Sequence, residues 1–450
     1  MDVTVVGGGL AGLTIGSLLA RAGYAVTVLE ASGDFGRSQL GQPRSINLAL
    51  SARGFSALSE LGLARQVEAY LVPMFGRRIH AAPGICEFQA YDLVGRQAIY
   101  SIRRSILWQL LRETATAAGV TLQFDRNCHR IDFAGRRVEL VDVEGRHFVH
   151  DYGALIGADG ARSEVRRALA AHTGAANELA SLRHGYKELH IPRDLASDLD
   201  FNALHSWPQG DLLLIALPNT DGSFTATLFV PLQGAFAEKL RKPDGLAAVF
   251  EDEFPEAAAM IPNYSAALAE NPLGYMHTVK CGRWSDGDRA LLIGDAAHAM
   301  APFYGQGMNC ALEDCTVLMR AIERHGGRWP DVFNDFERER RPNTDAISAL
   351  SEANYTEMSE RVTEGDFRLR LETERALQQR YARHFTPLYA MVAFSTRPYA
   401  EALARSLSQQ AIVDRLSRGV RRIEDIDFAL AESLLLETAR LDGRTPAMSA

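Results

Sequence analysis

The run Val3-Thr4-Val5-Val6-Gly7-Gly8-Gly9-Leu10-Ala11-Gly12 joins an apolar strand to glycines in the spacing GxGxxG, and it constrains the fold more than any other stretch. A helix follows through Arg21, and a second apolar run, Ala25-Val26-Thr27-Val28-Leu29, ends on Glu30. Each residue type has a physical task. Gly7 permits the tight turn out of the strand, Gly9 leaves the backbone open to a pyrophosphate, and Gly12 lets helix and strand approach closely. The helix N-terminus then presents unpaired N–H groups to the phosphates. Glu30, with Ala31 beside it, stands where a carboxylate accepts from a ribose hydroxyl. A glycine turn alone serves structural ends as well. Strand, turn, helix, strand and acid in this order predict a dinucleotide site.

The rest of the chain has to build around that unit. At 450 residues it exceeds one ordinary core, so two or three packed domains are expected. A net charge of -8 supplies no general field for nucleic acid or an anionic membrane surface. The longest apolar run, Leu212 to Leu217, is far short of a bilayer span, and the first strand begins too early for a signal peptide. A cytoplasmic protein without a membrane anchor is expected. Cys86, Cys128, Cys281, Cys310 and Cys315 are scattered, with no CxxC pair and no metal-ligand spacing, and read as reduced thiols in a chain without a metal.

Two further turns repeat the glycine–acid theme at strand ends: Gly157-Ala158-Asp159-Gly160 after Ala154-Leu155-Ile156, and Gly294-Asp295 after Ala290-Leu291-Leu292-Ile293. Between them, about Gly185 to Val279, the pattern turns to strands, with one helical insertion expected at Leu246 to Met260. A single strand is expected over Val72 to His80, another at Glu87 to Tyr91, and a hairpin-like pair over Arg130 to Val149. Beyond Arg341-Pro342 the composition is helical. The implied division is a discontinuous first domain (1–71, 99–176 and 285–340), a substrate sheet (72–98 and 177–284) and a helical segment (341–450).

The three turns together resemble the single-component FAD-dependent aromatic hydroxylases. The runs Arg44 to Leu50, His184 to Leu189, Ala216-Leu217-Pro218-Asn219 with Gly222-Ser223-Phe224-Thr225, Phe303 to Asn309, and Glu352 to Met358 bring the chain nearest to the kynurenine-hydroxylating branch of that family. The resemblance extends to about Tyr399. It implies an α/β fold in which a Rossmann-like FAD-binding domain carries a β-sheet substrate domain and a C-terminal helical segment closes the active site. Gly7, Gly9, Ala11, Gly12, Glu30 and Ala31 would hold the ADP half of FAD. Ala49, Arg104, the backbone near Cys128, and Asp159 would lie further in, and Asp295, Met308 and Asn309 would meet the ribityl chain and isoalloxazine. Arg77 and Tyr91 would grip a substrate carboxylate, Asn354 and Tyr389 would complete the pocket, and Phe229, Phe303 and Met358 would form its apolar wall.

The implied reaction is NADPH- and O2-dependent hydroxylation of L-kynurenine ortho to its aryl amine, through a flavin C4a-hydroperoxide. No catalytic acid–base pair is assigned, because the cofactor carries the chemistry. Read from the residues alone, Asp159 could instead cap the following helix, His298 could be a hydrogen-bonded residue behind the flavin, and Arg77 could be a solvated surface cation. Ser206, Tyr304 and, near the adenosine, Ser32 depart from the family pattern; the first two lie on segments that could line the pocket, so a modified kynurenine stays open as substrate. Another aryl amine or phenol and a non-catalytic FAD-binding protein are the remaining alternatives. A flavin halogenase is disfavoured, since the four tryptophans form no WxWxIP motif.

Overall fold

The computed structural model describes residues 2–33, 46–82, 84–92, 97–234, 237–238, 244–359 and 364–441, with backbone alone at 82, 356–359, 364–368, 371 and 439–441. Arg44 and Ser45 of the sequence motif therefore lie outside the described residues, as does the side chain of Met358.

The opening unit forms as its pattern dictates. Strands Asp2–Val6 and Ala25–Leu29 pair in parallel around helix Leu10–Arg21, which buries Leu13, Ile15, Leu18 and Leu19. Each such side chain removed from water stabilises the fold by about 1.5–3 kcal/mol. These strands sit in a six-stranded sheet whose order is Ser285–Asp286, Ala290–Leu292, Ala154–Gly157, Asp2–Val6, Ala25–Leu29, Thr121–Gln123. All neighbours are parallel except the first pair, so their carboxyl ends share one edge. The stretch expected as a hairpin, Arg130 to Val149, belongs to three antiparallel strands, Asn127–Asp132, Arg137–Val141 and His147–Asp151.

The expected strand Val72 to His80 is two strands in two sheets. Val72–Met74 joins Asn47–Leu50 and Ile99–Arg103, whereas Gly76–Ala82 joins a larger, seven-stranded sheet. Gly76 marks the change, since a Cβ there would lie 2.4 Å from the carbonyl oxygen of Gln89. This larger sheet has seven strands, in the order Gly274–Cys281, Asn177–Ile191, Phe224–Pro231, Leu212–Pro218, Ala203–Gln209, Gly76–Ala82, Ile85–Ala90.

Alternation along a strand sends neighbouring side chains to opposite faces. His205 and Trp207 turn outward, where Trp207 packs among Phe250, Phe254 and Ala257. Those residues belong to three short helices, Gly245–Glu253, Pro255–Met260 and Tyr264–Glu270, in place of the one insertion expected. Leu204 and Ser206 turn inward with Ile215, which is register partner to Ser206.

The described C-terminal part is a series of helices joined by short loops. Helix Trp329–Ser359 spans 31 residues with Pro342 inside it, so position 341 lies mid-helix with no linker there. Helices Glu364–Arg380, Leu388–Ala393, Tyr399–Ser417 and Phe428–Leu441 follow. Among the described residues no helix is long and apolar enough to cross a membrane.

Candidate active site

Three neighbouring strands of the six-stranded sheet end on the three glycine–acid turns, which places all three turns along one crevice. At the first turn Gly7 has φ +105°, and a Cβ there would lie 2.4 Å from the carbonyl oxygen of Ala158 on the second turn. A Cβ on Gly12 would lie 1.9 Å from the Gly7 oxygen, while one on Gly9 would meet nothing within 4 Å. Gly9 precedes helix Leu10–Arg21 without a side-chain cap, so its first N–H groups face open space. Glu30 is held toward the turn: it accepts from the Gly8 N–H at 2.6 Å and from the Ser32 N–H at 2.9 Å. Trp108 was not foreseen. Its Nε1 donates to the Gly8 oxygen at 2.8 Å, and nothing in the sequence near Trp108 signals that contact.

At the second turn the Asp159 carboxylate accepts from Ser163 Oγ at 2.5 Å and from the Glu164 and Val165 N–H groups at 2.7 and 3.1 Å. It thereby supports the start of helix Glu164–Thr173, whose N-cap is Ser163, with Ser163 Oγ accepting from the Arg166 N–H. Burial pushes this carboxyl up, against the pull of those hydrogen bonds. Arg166, 2% exposed, ties the second turn to the third by donating to Ala161 O at 2.7 Å and Ala296 O at 2.9 Å. Cys128 lies buried nearby, its thiol pushed up to about 12 by burial and then by Asp159, which disfavours the thiolate form.

At the third turn Asp295 keeps its side chain open to the crevice, yet the enclosing walls push its carboxyl up, with His298 and Arg104 pulling the other way. His298 points behind the turn, its Nε2 2.6 Å from Asp314. Asn309 is spent within the protein: it accepts from the Ser51 N–H and donates to the Ala49 and Gly305 carbonyls, each at 2.9 Å. Its side chain thus braces the backbone between Ala49 and Gly305, and a ligand there would meet main-chain groups of Gly307 to Asn309, at the start of helix Gly307–His325. Gly54 makes room for this brace, since a Cβ would lie 2.4 Å from Asn309 Oδ1. Met308 packs against the core beside it.

Across the crevice, Arg77 is exposed and donates to Gln89 Oε1 at 3.0 Å. Its charge acts on three tyrosines, Tyr91, Tyr304 and Tyr389. The Tyr91 and Tyr389 rings stack at 4.9 Å, and Tyr304 lies 5.9 Å from Tyr389. Burial pushes all three phenols up and Arg77 only partly offsets it, so they stay protonated. Phe229 packs on Phe303 at 5.1 Å and Phe303 stacks on Tyr355 at 4.8 Å, giving an aromatic wall. Asn354 donates to the Phe303 carbonyl at 2.6 Å and so holds that wall in place.

Two motif residues quoted above turn out to join parts of the fold. Asn47 donates to Ser101 Oγ, the Pro218 carbonyl and Asn219 Oδ1 at 2.9, 3.1 and 2.9 Å, linking the small three-stranded sheet to the seven-stranded one. His184 donates from Nε2 to the Asp211 carbonyl at 2.9 Å and accepts from the Tyr355 hydroxyl at 2.7 Å, a tautomer assigned from these partners.

Residues 1–351 match the family described as FAD binding domain. The kynurenine 3-monooxygenase of Stenotrophomonas maltophilia (strain K279a) is 40% identical over 438 residues, covering 96% of each chain. That of Myxococcus xanthus (strain DK1622) is 39% identical, covering 96% of this chain and 94% of the relative. This chain belongs to the kynurenine 3-monooxygenase family. Its fold recurs in the solved 2-methyl-3-hydroxypyridine-5-carboxylic acid oxygenase, at 24% identity and a TM-score of 0.64 over 81% of this chain and 94% of that one. It recurs also in P. aeruginosa PqsL, solved with 2-aminobenzoylacetate, at 20% identity and a TM-score of 0.62 over 80% and 97%. As in the rest of the kynurenine 3-monooxygenase family the cofactor is FAD, and the first turn suits it: an uncapped helix N-terminus, open space over Gly9 and an anchored acid at Glu30.

Proposed function

We propose that this chain is an NADPH-consuming monooxygenase that hydroxylates L-kynurenine ortho to its aryl amine, giving 3-hydroxykynurenine. The observation that carries the reading is the convergence of Arg77 and three protonated phenols opposite an aromatic wall, in a chain related to enzymes named for this reaction. A guanidinium and phenol donors suit an amino-acid carboxylate. Phe229 and Phe303 suit the aryl ring.

Bound FAD would supply the redox chemistry, by which two electrons from NADPH activate O2 so that one oxygen atom reaches the ring and the other leaves as water. The protein's own residues do the rest. Arg77, Tyr91 and Tyr389 fix the carboxylate end. The wall of Phe229, Phe303 and Tyr355 orients the ring and excludes water, which protects the transfer from side reactions. The substrate amine already enriches its ortho carbon, so no strong base is required, and phenols held protonated do not interfere. We assign the ADP half of FAD to Gly7, Gly9, Ala11, Gly12, Glu30 and Ala31, and its flavin end to Ala49, Asp295, Met308 and Asn309. A second reading, a substituted kynurenine, draws on Ser206, whose small polar side chain lies inward beside Ile215.

The test is NADPH oxidation by FAD-loaded protein with and without L-kynurenine, with the product weighed by mass spectrometry. Stimulation with a product one oxygen heavier supports the reading. Stimulation without that product would make kynurenine an effector only, and no response would move the substrate to substituted kynurenines.

A further inference from the structure

Behind the three turns runs a buried chain of alternating charges that the reaction itself does not use. Arg53, 1% exposed, pairs with Glu313 at 2.6 Å. The other oxygen of Glu313 pairs with Arg340 at 2.7 Å, and Arg340 pairs with Asp314 at 2.7 Å. Asp314 then accepts from the Gly294 N–H at 2.8 Å, beside Asp295. Burial would push the Asp314 carboxyl up, but His298 and Arg340 beside it outweigh that and hold it below the usual carboxylate range.

The other end of the chain reaches the C-terminal segment. The Arg53 guanidinium lies 3.7 Å from the ring centroid of Tyr399, donates to the Val392 carbonyl at 3.4 Å and also donates to the Arg397 carbonyl. Tyr399 is fully buried, and its hydroxyl donates to Gln306 Oε1 at 2.9 Å. Gln306 is the residue before helix Gly307–His325, and its carbonyl takes the Cys310 N–H at 2.8 Å. Two covalently distant segments, 388–417 and 305–310, are therefore joined directly by the Tyr399–Gln306 bond and indirectly by Arg53, which holds the first and reaches the Cys310 carbonyl of the second through Glu313 and Arg340. Undocking the first would strip Arg53 of two carbonyls and a ring face and leave Gln306 without its phenol donor, all in a region closed to water. Gln306 Oε1 would keep only the long 3.4 Å bond from Ser51 Oγ, and Arg53 only its Glu313 partner, so the two segments order and loosen together.

We propose that Arg53 and Tyr399 form a latch through which docking of residues 388–417 sets the backbone of residues 305–310 that faces the flavin. Both are positioning residues, and the inference rests on the assignment of that backbone to the flavin. The latch makes cofactor geometry conditional on a closed C-terminal segment, which restricts oxygen transfer to the closed state.

The test is amide hydrogen exchange on full-length FAD-loaded protein, wild type against Arg53→Met and Tyr399→Phe, followed by the ratio of hydroxylated product to NADPH consumed. In Arg53→Met both segments are expected to exchange about tenfold faster or more, the equivalent of about 1.4 kcal/mol. Tyr399→Phe keeps the ring under Arg53 but removes the bond to Gln306. It is expected to loosen 305–310 while 388–417 stays protected, and to lower the product ratio. Should Arg53→Met fail to fold, Tyr399→Phe decides alone. Wild-type exchange at 305–310 in Tyr399→Phe overturns the latch. Exchange as expected in a protein that makes no product from L-kynurenine upholds the latch and removes the substrate reading instead.

Discussion

Acid sensitivity of the substrate sheet follows from one histidine pair on its outer face. His205 is 1% exposed, and its ring nitrogens meet His80 Nε2 at 2.9 Å and the Asp200 carbonyl at 3.0 Å. Burial, helped by the neighbouring His80 and Arg78 and opposed by Asp200, lowers its pKa from 6.5 to about 4. His80 is also lowered, by burial first, with Glu256 opposing and Arg78 adding. The two share a hydrogen bond and so titrate as a pair. As pH falls below 6.5 the unfolded chain takes up a proton that the folded chain refuses until about pH 4. The stabilisation is whole above pH 6.5 and is lost on the way down to 4. Over the full window the loss is about 3 kcal/mol, and by pH 5 it is about 2 kcal/mol. The assay is urea unfolding of FAD-loaded wild type and His205→Gln from pH 7.5 to 5, followed by tryptophan fluorescence. Trp207, stacked 4.2 Å from His80, reports on this sheet. The variant will be less stable at neutral pH, but its loss on acidification should be smaller by about 2 kcal/mol. Equal pH slopes for the two proteins would refute the argument, because they would mean that His205 titrates alike folded and unfolded.

Two further substitutions probe the site. Gly12→Ala places a methyl 1.9 Å from the Gly7 oxygen, and prising helix from strand costs about 1–3 kcal/mol and opens the phosphate turn. The protein should purify with FAD substoichiometric, as absorbance at flavin wavelengths would read; full FAD occupancy would mean the turn absorbs the shift. Arg77→Ala should weaken L-kynurenine binding by about 1.5–3 kcal/mol, the scale of a lost charged hydrogen bond, in a titration of flavin fluorescence. Unchanged affinity would remove Arg77 from the site.

What could be read from the sequence divides along physical lines. The first turn was legible because GxGxxG states a local steric demand, and the gaps at Gly7 and Gly12 bear it out residue by residue. The α/β fold and the flavin family were legible from turns that recur at strand ends. The split of residues 72–80 between two sheets was not, because an apolar run does not say which neighbour it will pair with. Trp108 and the ion chain through Arg53 were illegible for a related reason: each joins elements far apart in sequence, and no local pattern marks a residue whose partner lies 100 positions away, as for Trp108, or 260, as for Arg53. Asn309 stood out as a motif residue, but its role as a brace between Ala49 and Gly305 needed coordinates.

The long helix Trp329–Ser359 carries one more consequence. At 1.5 Å per residue its 31 residues make a rod of about 46 Å, begun against the flavin-side core and ended beside the aromatic wall through Asn354 and Tyr355. For protein engineering this rod is a unit of exchange. A chimera that grafts the C-terminal part of one relative onto another at residue 341 would splice two half-helices whose side chains were selected against different neighbours. Crossover points placed before Trp329 or beyond Ser359 leave the rod intact, and libraries built that way should return a larger share of folded, flavin-loaded proteins.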